Sequence, residues 1–225
     1  MNIFQIHLSN HPLTFQLENG IILYSVWQTY SGIRLACQQY NVDIVGGDTT
    51  SSLTGLAISI TCIGDADKDK VVYRNGAKDT DLICVSGDLG AAYMGLQLLE
   101  REKVVLQGDK DVQPDFSGKE YLLERQLKPE ARKDIIEKLA AANIVPTSMM
   151  DISDGLSSEL MHICKQSNAG CRVYEEHIPI DYQTAVMAEE FNMNLTTCAL
   201  NGGEDYERDD SAIICIFPPA SSTLI

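Results

Sequence analysis

Small residues sit beside carboxylates in Gly46-Gly47-Asp48-Thr49-Thr50, in Asp151-Ile152-Ser153-Asp154-Gly155 and in Asn201-Gly202-Gly203-Glu204-Asp205. Glycine and serine let a backbone come close to a ligand, and carboxylates offer hard oxygen donors. Magnesium favours one or two carboxylates together with phosphate oxygens and water, so acidic turns of this kind converging on one place suit a metal–nucleotide site. The 151–155 stretch also opens a helix, whose N-terminal N–H groups and dipole favour an anion. Taken singly, Gly-Gly-Asp and Ser-Asp-Gly are ordinary turn and N-cap chemistry. Ser86-Gly87-Asp88 reads as that alone, with Asp88 capping the helix that follows. Arg74, in Arg74-Asn75-Gly76-Ala77-Lys78, lies in a turn between two strands, where it can reach a phosphate; on its own such an Arg is more often a solvated surface residue. Neither G-x-x-x-x-G-K-[ST] nor G-x-G-x-x-G occurs. His162 and Cys164 fit the apolar face of a helix better than a metal site.

The elements that must position these residues are legible from about Tyr30. Ser31 to Tyr40 has helical periodicity, with Ile33, Cys37 and Tyr40 on one side. Val42 to Val45 predicts a short strand ending at Gly46-Gly47-Asp48, and the β-branched run Leu56 to Ile63 a buried strand. Leu82 to Val85 predicts another strand, followed by a helix carrying Leu89, Ala92, Leu96 and Leu99. The stretch from about Gln107 to Gly118, rich in Asp, Gly and Pro, reads as a linker. Two helical segments broken at Pro129 follow, the second presenting Ile135, Ile136, Leu139 and Ala142. Met149 to Ile152 predicts a strand leading into a helix with Leu156, Leu160, Ile163, Cys164 and Ser167 at helical spacing, capped at Gly170.

Composition bounds the chemistry. In 225 residues, 44% are hydrophobic and 22% charged, as in ordinary globular chains. The net charge of −15 argues against nucleic acid or an anionic membrane as partner, because both reward clustered Lys and Arg. Carboxylates that first collect divalent cations can still hold a polyanion. Seven cysteines without a C-x-x-C pair make a poor disulfide framework and point to a reducing cytoplasm. No apolar run approaches the roughly 20 residues of a membrane span, and the N-terminus lacks the basic flank and apolar centre of a signal peptide.

Val45-Gly46-Gly47-Asp48-Thr49-Thr50, Arg74-Asn75-Gly76-Ala77-Lys78, Met149-Met150-Asp151-Ile152-Ser153-Asp154-Gly155-Leu156 and Ala199-Leu200-Asn201-Gly202-Gly203-Glu204-Asp205-Tyr206-Glu207 together resemble the thiamine-monophosphate kinase family, in that family's order and at about its spacings. The wider superfamily includes aminoimidazole ribonucleotide synthetase, selenophosphate synthetase and a hydrogenase maturation protein. The resemblance implies an α/β (α+β) chain of two-domain, aminoimidazole ribonucleotide synthetase-like architecture. Residues 30–108 would be part of an N-terminal ATP-binding α/β domain that dimerises by joining sheets, and 109–225 a C-terminal α+β domain incomplete at its end. ATP would lie between them, its phosphates bridged by Mg²⁺. By the same resemblance Asp48, Asp151 and Asp154 are metal ligands; Gly47, Asp48, Arg74 and Ser153 contact ATP, with Tyr30 near the nucleotide; Glu204 or Asp205 faces thiamine monophosphate.

Two departures from the family shape the expectation. The family begins with acidic, metal-binding segments, whereas residues 1–29 show no acidic turn and no resemblance. After Glu207 the family continues with an apolar strand, and here Arg208-Asp209-Asp210 intervenes. Both ends read as foreign sequence joined to a family core, as shifted reading frames would produce. The implied function is Mg-dependent transfer of the ATP γ-phosphoryl group to thiamine monophosphate, with poor or no turnover by this chain. A homodimer is expected only if the N-terminal sheet forms, with Met1 to Gln28 as a possible substitute strand. The alternatives are a non-catalytic nucleotide-binding remnant and another ATP-dependent enzyme of the superfamily, against which the Asn-Gly-Gly-Glu-Asp-Tyr-Glu run weighs.

Overall fold

The computed structural model describes residues 3–10, 19–51, 57–108, 113–202 and 212–219. It divides into two compact units, Met1–Val71 and Val72–Ile225.

The first unit contains a βαβ arrangement. Strand β1 (Ile3–Asn10) leads into helix α1 (Asn19–Tyr40), then β2 (Asp43–Ser51) and β3 (Ala57–Ile63). The sheet order is β2-β1-β3, with β1 parallel to β2 and antiparallel to β3. A parallel pair needs a long crossover, which explains why α1 starts well before the Ser31 expected from periodicity. Residues 1–29 therefore supply the middle strand and the first half of the crossover helix. The Gly46-Gly47-Asp48 stretch, expected as a turn, is strand: Gly46, Gly47 and Asp48 pair with Gln5, Ile6 and His7. The parallel partner satisfies backbone groups that the sequence alone had given no partner.

The second unit is built on an antiparallel sheet of order β4-β6-β5, from β4 (Leu82–Val85), β5 (Ser148–Asp151) and β6 (Ile213–Phe217). Around it lie α2 (Ala91–Gly108), α3 (Glu120–Leu127), α4 (Lys133–Ala141), α5 (Leu156–Ser167), α6 (Tyr182–Glu190) and α7 (Leu195–Asn201). Leu89, Ile152, Leu156, Leu160, Ile163, Ile214 and Ile216 form one core between sheet and α5. Ala91, Met94, Leu122, Met187, Ala188 and Cys198 form a second, purely helical one. Fully burying each Leu or Ile is worth about 1.5–3 kcal/mol, so these clusters outweigh any local propensity in fixing the unit.

Several local expectations change in this context. The division falls between Val71 and Val72, not near 108, because β4 pairs with β6 and α2 packs with α3, α6 and α7. Asp88 does not cap α2; its carboxylate accepts a 2.5 Å hydrogen bond from the Tyr121 hydroxyl, and its carbonyl accepts one from Arg125. The left-handed cap of α5 is Asn168, not Gly170. Helix α4 buries none of its residues, so its apolar stripe lies outside both cores. The 213–217 segment beyond Arg208-Asp209-Asp210 is the middle strand of the sheet, with Ile214 fully buried.

Candidate nucleotide and metal site

The second unit places four of the expected site residues around the end of β5. Arg74 sits on the loop that precedes β4, and this loop is pinned to the elements behind it. Ser148 Oγ donates to the Arg74 carbonyl at 2.8 Å, the Met149 N–H donates to the Tyr73 carbonyl at 3.0 Å, and the Gly76 and Ala77 N–H groups donate to Ser167 Oγ, each at 3.2 Å. Gly76 has φ +127°, and a Cβ there would stand 2.4 Å from the Thr147 carbonyl oxygen, so only glycine fits the turn. Arg74 and Asp151 line one open cleft of about 690 Å³, together with Tyr73, Asn75, Met149 and Gln166. Among the described residues no carboxylate lies within ion-pair distance of the Arg74 guanidinium, so it is available to an anion.

Asp151 ends β5, and Ser153 and Asp154 form the turn into α5. The carboxylates of Asp151 and Asp154 are exposed, whereas Ile152 between them is buried in the core. Ile152 anchors the segment in the core on the face opposite Asp151, and the turn that follows leaves Asp154 outside. Gly155, at φ +101°, is the N-cap of α5; a Cβ there would lie 2.6 Å from the Leu200 carbonyl oxygen. Ser157 Oγ contacts the Leu200 carbonyl at 2.9 Å and Asn201 Oδ1 at 2.6 Å. These contacts bring the Asp151–Gly155 motif against Asn201, where the Asn201-Gly202-Gly203-Glu204-Asp205 motif begins. Glu204 and Asp205 themselves lie outside the described residues.

Tyr30, Gly47 and Asp48 belong to the first unit. Tyr30 is half-buried on α1, and Gly47 and Asp48 are exposed on β2. Arg74, Asp151, Ser153 and Asp154 all belong to the second unit.

The donor set fits magnesium. Asp151 and Asp154 offer exposed hard oxygens, and Mg²⁺ takes one or two carboxylates with phosphate and water completing its shell. No group of three or more His, Cys, Asp or Glu side chains closes on a metal position among the described residues. His162 is exposed on α5 and Cys164 half-buried, outside any such group. The sequence reading missed Glu159, a buried carboxylate on α5 that reaches back to this turn. Its signal was present: an acid five residues after Asp154, in a helix whose other inward positions are apolar.

Residues 11–66 match the family described as AIR synthase related protein, N-terminal domain. The thiamine-monophosphate kinase of Aquifex aeolicus (strain VF5) is 30% identical over 195 residues, covering 87% of this chain and 59% of the relative. That of Bacillus subtilis (strain 168) is 32% identical over 185 residues, covering 79% and 51%. The crystal structure of thiamine monophosphate kinase from Aquifex aeolicus aligns with a TM-score of 0.77 at 27% identity, over 99% of this chain and 68% of that one. AaThiL complexed with AMPPCP and TMP aligns with a TM-score of 0.78 at 28% identity, over 96% and 61%. The hydrogenase maturation protein HypE in complex with ATP, 19% identical with a TM-score of 0.69, shares the fold. The chain spans 59% and 51% of the length of these two curated relatives. Over residues 11–66 the chain matches the AIR synthase related N-terminal domain, and over most of its length it is similar to the thiamine-monophosphate kinases.

Proposed function

We propose that this chain binds Mg-ATP and transfers the γ-phosphoryl group to thiamine monophosphate, giving thiamine pyrophosphate and ADP. The observation that carries the reading is the cleft shared by Arg74 and exposed Asp151, with exposed Asp154 in the turn that follows, in a chain similar to thiamine-monophosphate kinases. An oxygen of the substrate's own phosphate attacks the γ-phosphorus, a P–O bond forms to it, and the bond to the ADP oxygen breaks. A phosphate monoester has a second pKa of about 6, so the attacking oxygen is mostly ionised at neutral pH and needs no strong base. What the protein must supply is in-line positioning and neutralisation of two polyanions. Arg74 would grip ATP phosphate through its planar fork, the backbone N–H of Ser153 and the N-terminal N–H groups of α5 would add donors, and Gly47 and Tyr30 would line the nucleotide. Asp48, Asp151 and Asp154 would hold Mg²⁺, whose contribution is charge neutralisation between the phosphates. Glu204 or Asp205 would meet the thiamine moiety.

The assembly in this reading is a homodimer joined through the first unit's sheet, supported by Ile58 and Ile60, which stand 43% and 51% exposed on β3. Nucleic acid and membrane have no part in it: the net charge is −15, and no helix among the described residues is long and apolar enough to cross a membrane. A reducing cytoplasm suits the seven cysteines, all unpaired. Calorimetric titration with Mg-ATP, run beside an assay of thiamine pyrophosphate formation, tests the reading. Mg-dependent ATP binding with product formation is expected. Binding without product would make the chain a nucleotide-binding module, and no Mg-dependent binding would remove the proposal altogether.

A further inference from the structure

Glu159 is 1% exposed, in the first turn of α5. Its Oε1 accepts hydrogen bonds from Ser153 Oγ and from the Asp154 N–H, both at 3.2 Å. Its Oε2 is buried, and among the described residues it has no hydrogen-bond partner and no Lys, Arg or His in ion-pair distance. Burying a carboxylate without a counter-charge costs several kcal/mol. The partial positive charge at the start of α5 offsets part of that cost. A glutamine would accept the same two hydrogen bonds without the charge, so turn geometry alone leaves the acid unexplained.

We propose that Glu159 is a positioning residue for the metal-binding turn. By fixing Ser153 Oγ and the Asp154 N–H from behind, it holds the Asp151 and Asp154 carboxylates outward, and a cation bound by them supplies the counter-charge that Glu159 lacks. The proposal rests on the Mg-ATP reading above. Residues one shell behind the ligands typically change metal affinity 10–100-fold. Cation binding and the burial of Glu159 are therefore coupled, each favouring the other.

The test uses the full chain and its Glu159→Gln, Glu159→Asp and Asp154→Asn variants. Two quantities are read: the Mg²⁺ concentration giving half-maximal ATP binding, and the melting temperature in EDTA without nucleotide. Glu159→Gln is expected to melt no lower than the parent in EDTA, since an uncompensated buried charge is gone, yet to need about tenfold more Mg²⁺. Glu159→Asp, which keeps the charge, should fall between Glu159→Gln and the parent in Mg²⁺ demand. A lower melting temperature with unchanged Mg²⁺ dependence would make Glu159 a folding residue only and overturn the inference. If Asp154→Asn raises the Mg²⁺ demand while Glu159→Gln does not, the inference falls and the Mg-ATP site stands. If Asp154→Asn has no effect either, the site reading itself fails.

Discussion

Asp154 stands at the entrance of α5 without capping it: the N-cap is Gly155, and no side chain closes the helix end. Replacing Asp154 by Asn therefore removes charge and leaves the turn's backbone bonds in place. Asp154→Asn is expected to shift unfolding free energy by no more than about 0.5 kcal/mol, as for exposed sites, while weakening Mg-dependent ATP binding by roughly 1.5–3 kcal/mol; thermal melts and calorimetry separate the two. Arg74 makes a sharper case, because its carbonyl is held by Ser148 while its guanidinium has no partner among the described residues. Arg74→Ala should leave stability almost untouched and cost nucleotide affinity on the order of 1.5–3 kcal/mol. Equal affinity in parent and variant would remove Arg74 from the site. The charged motif residues were legible in the sequence because hard-oxygen chemistry restricts residue type. Glu159 was passed over, although it is an acid on the otherwise apolar inward face of α5, because its significance lies in what it touches.

Between residue and molecule, the packing of elements decides. Gly95 lies in the middle of α2, where Ala would gain about 1 kcal/mol of helix propensity. A Cβ there would stand 2.2 Å from the Leu122 carbonyl oxygen and 2.9 Å from Gln126 Cβ, on α3. The steric cost wins: Gly95→Ala is expected to lose roughly 1–3 kcal/mol, read as a lower urea midpoint. The same helices are tied at their rim by Glu190 on α6, which pairs with Arg101 of α2 at 2.8 Å and with Lys119 at 3.3 Å. Arg101 chiefly, with Lys119, holds the Glu190 carboxyl below its ordinary value of 4.5. A depressed folded pKa contributes stability that is present above about pH 4.5 and lost as the pH falls through the lowered value. Urea midpoints of parent and Glu190→Gln should therefore differ modestly, by under about 1 kcal/mol for so exposed a pair, at pH 7 and converge near pH 3. Elements with clear periodicity, such as β4 and α5, were readable in advance. Strand β2 through Gly46-Gly47-Asp48 was not, because glycines signal turns until a partner strand is known.

At the scale of the whole chain, the pairing of β4 with β6 joins Leu82 to Phe217 and Val85 to Ile214, a contact that no local pattern in the sequence announces. The units differ in how fully they bury apolar surface. Among first-unit residues whose side chains are described, Cys37 alone among the hydrophobics is fully buried, whereas the second unit contains both cores. The exposed Ile58 and Ile60 are what a partner sheet would cover. If the proposed dimer forms through this sheet, Ile60→Lys is expected to shift it toward monomer in sedimentation velocity, with Mg-ATP binding to the second unit's residues retained in part; an unchanged dimer would place the interface elsewhere.

The sheet order β4-β6-β5 has a further consequence, in time. Strands β4 and β5 have no hydrogen bonds to each other and are joined only through β6. During synthesis both must wait for their ladder partner until the ribosome has passed residue 217. Long-range strand pairing is slow, and open strands are the surfaces on which nascent chains aggregate. The loop bearing Arg74 and the turn bearing Asp151 and Asp154 are therefore assembled late, by a segment that contributes none of the candidate ligands. The amount of working protein in a cell would then be governed by how soon Ile214 and its neighbours find the gap left for them.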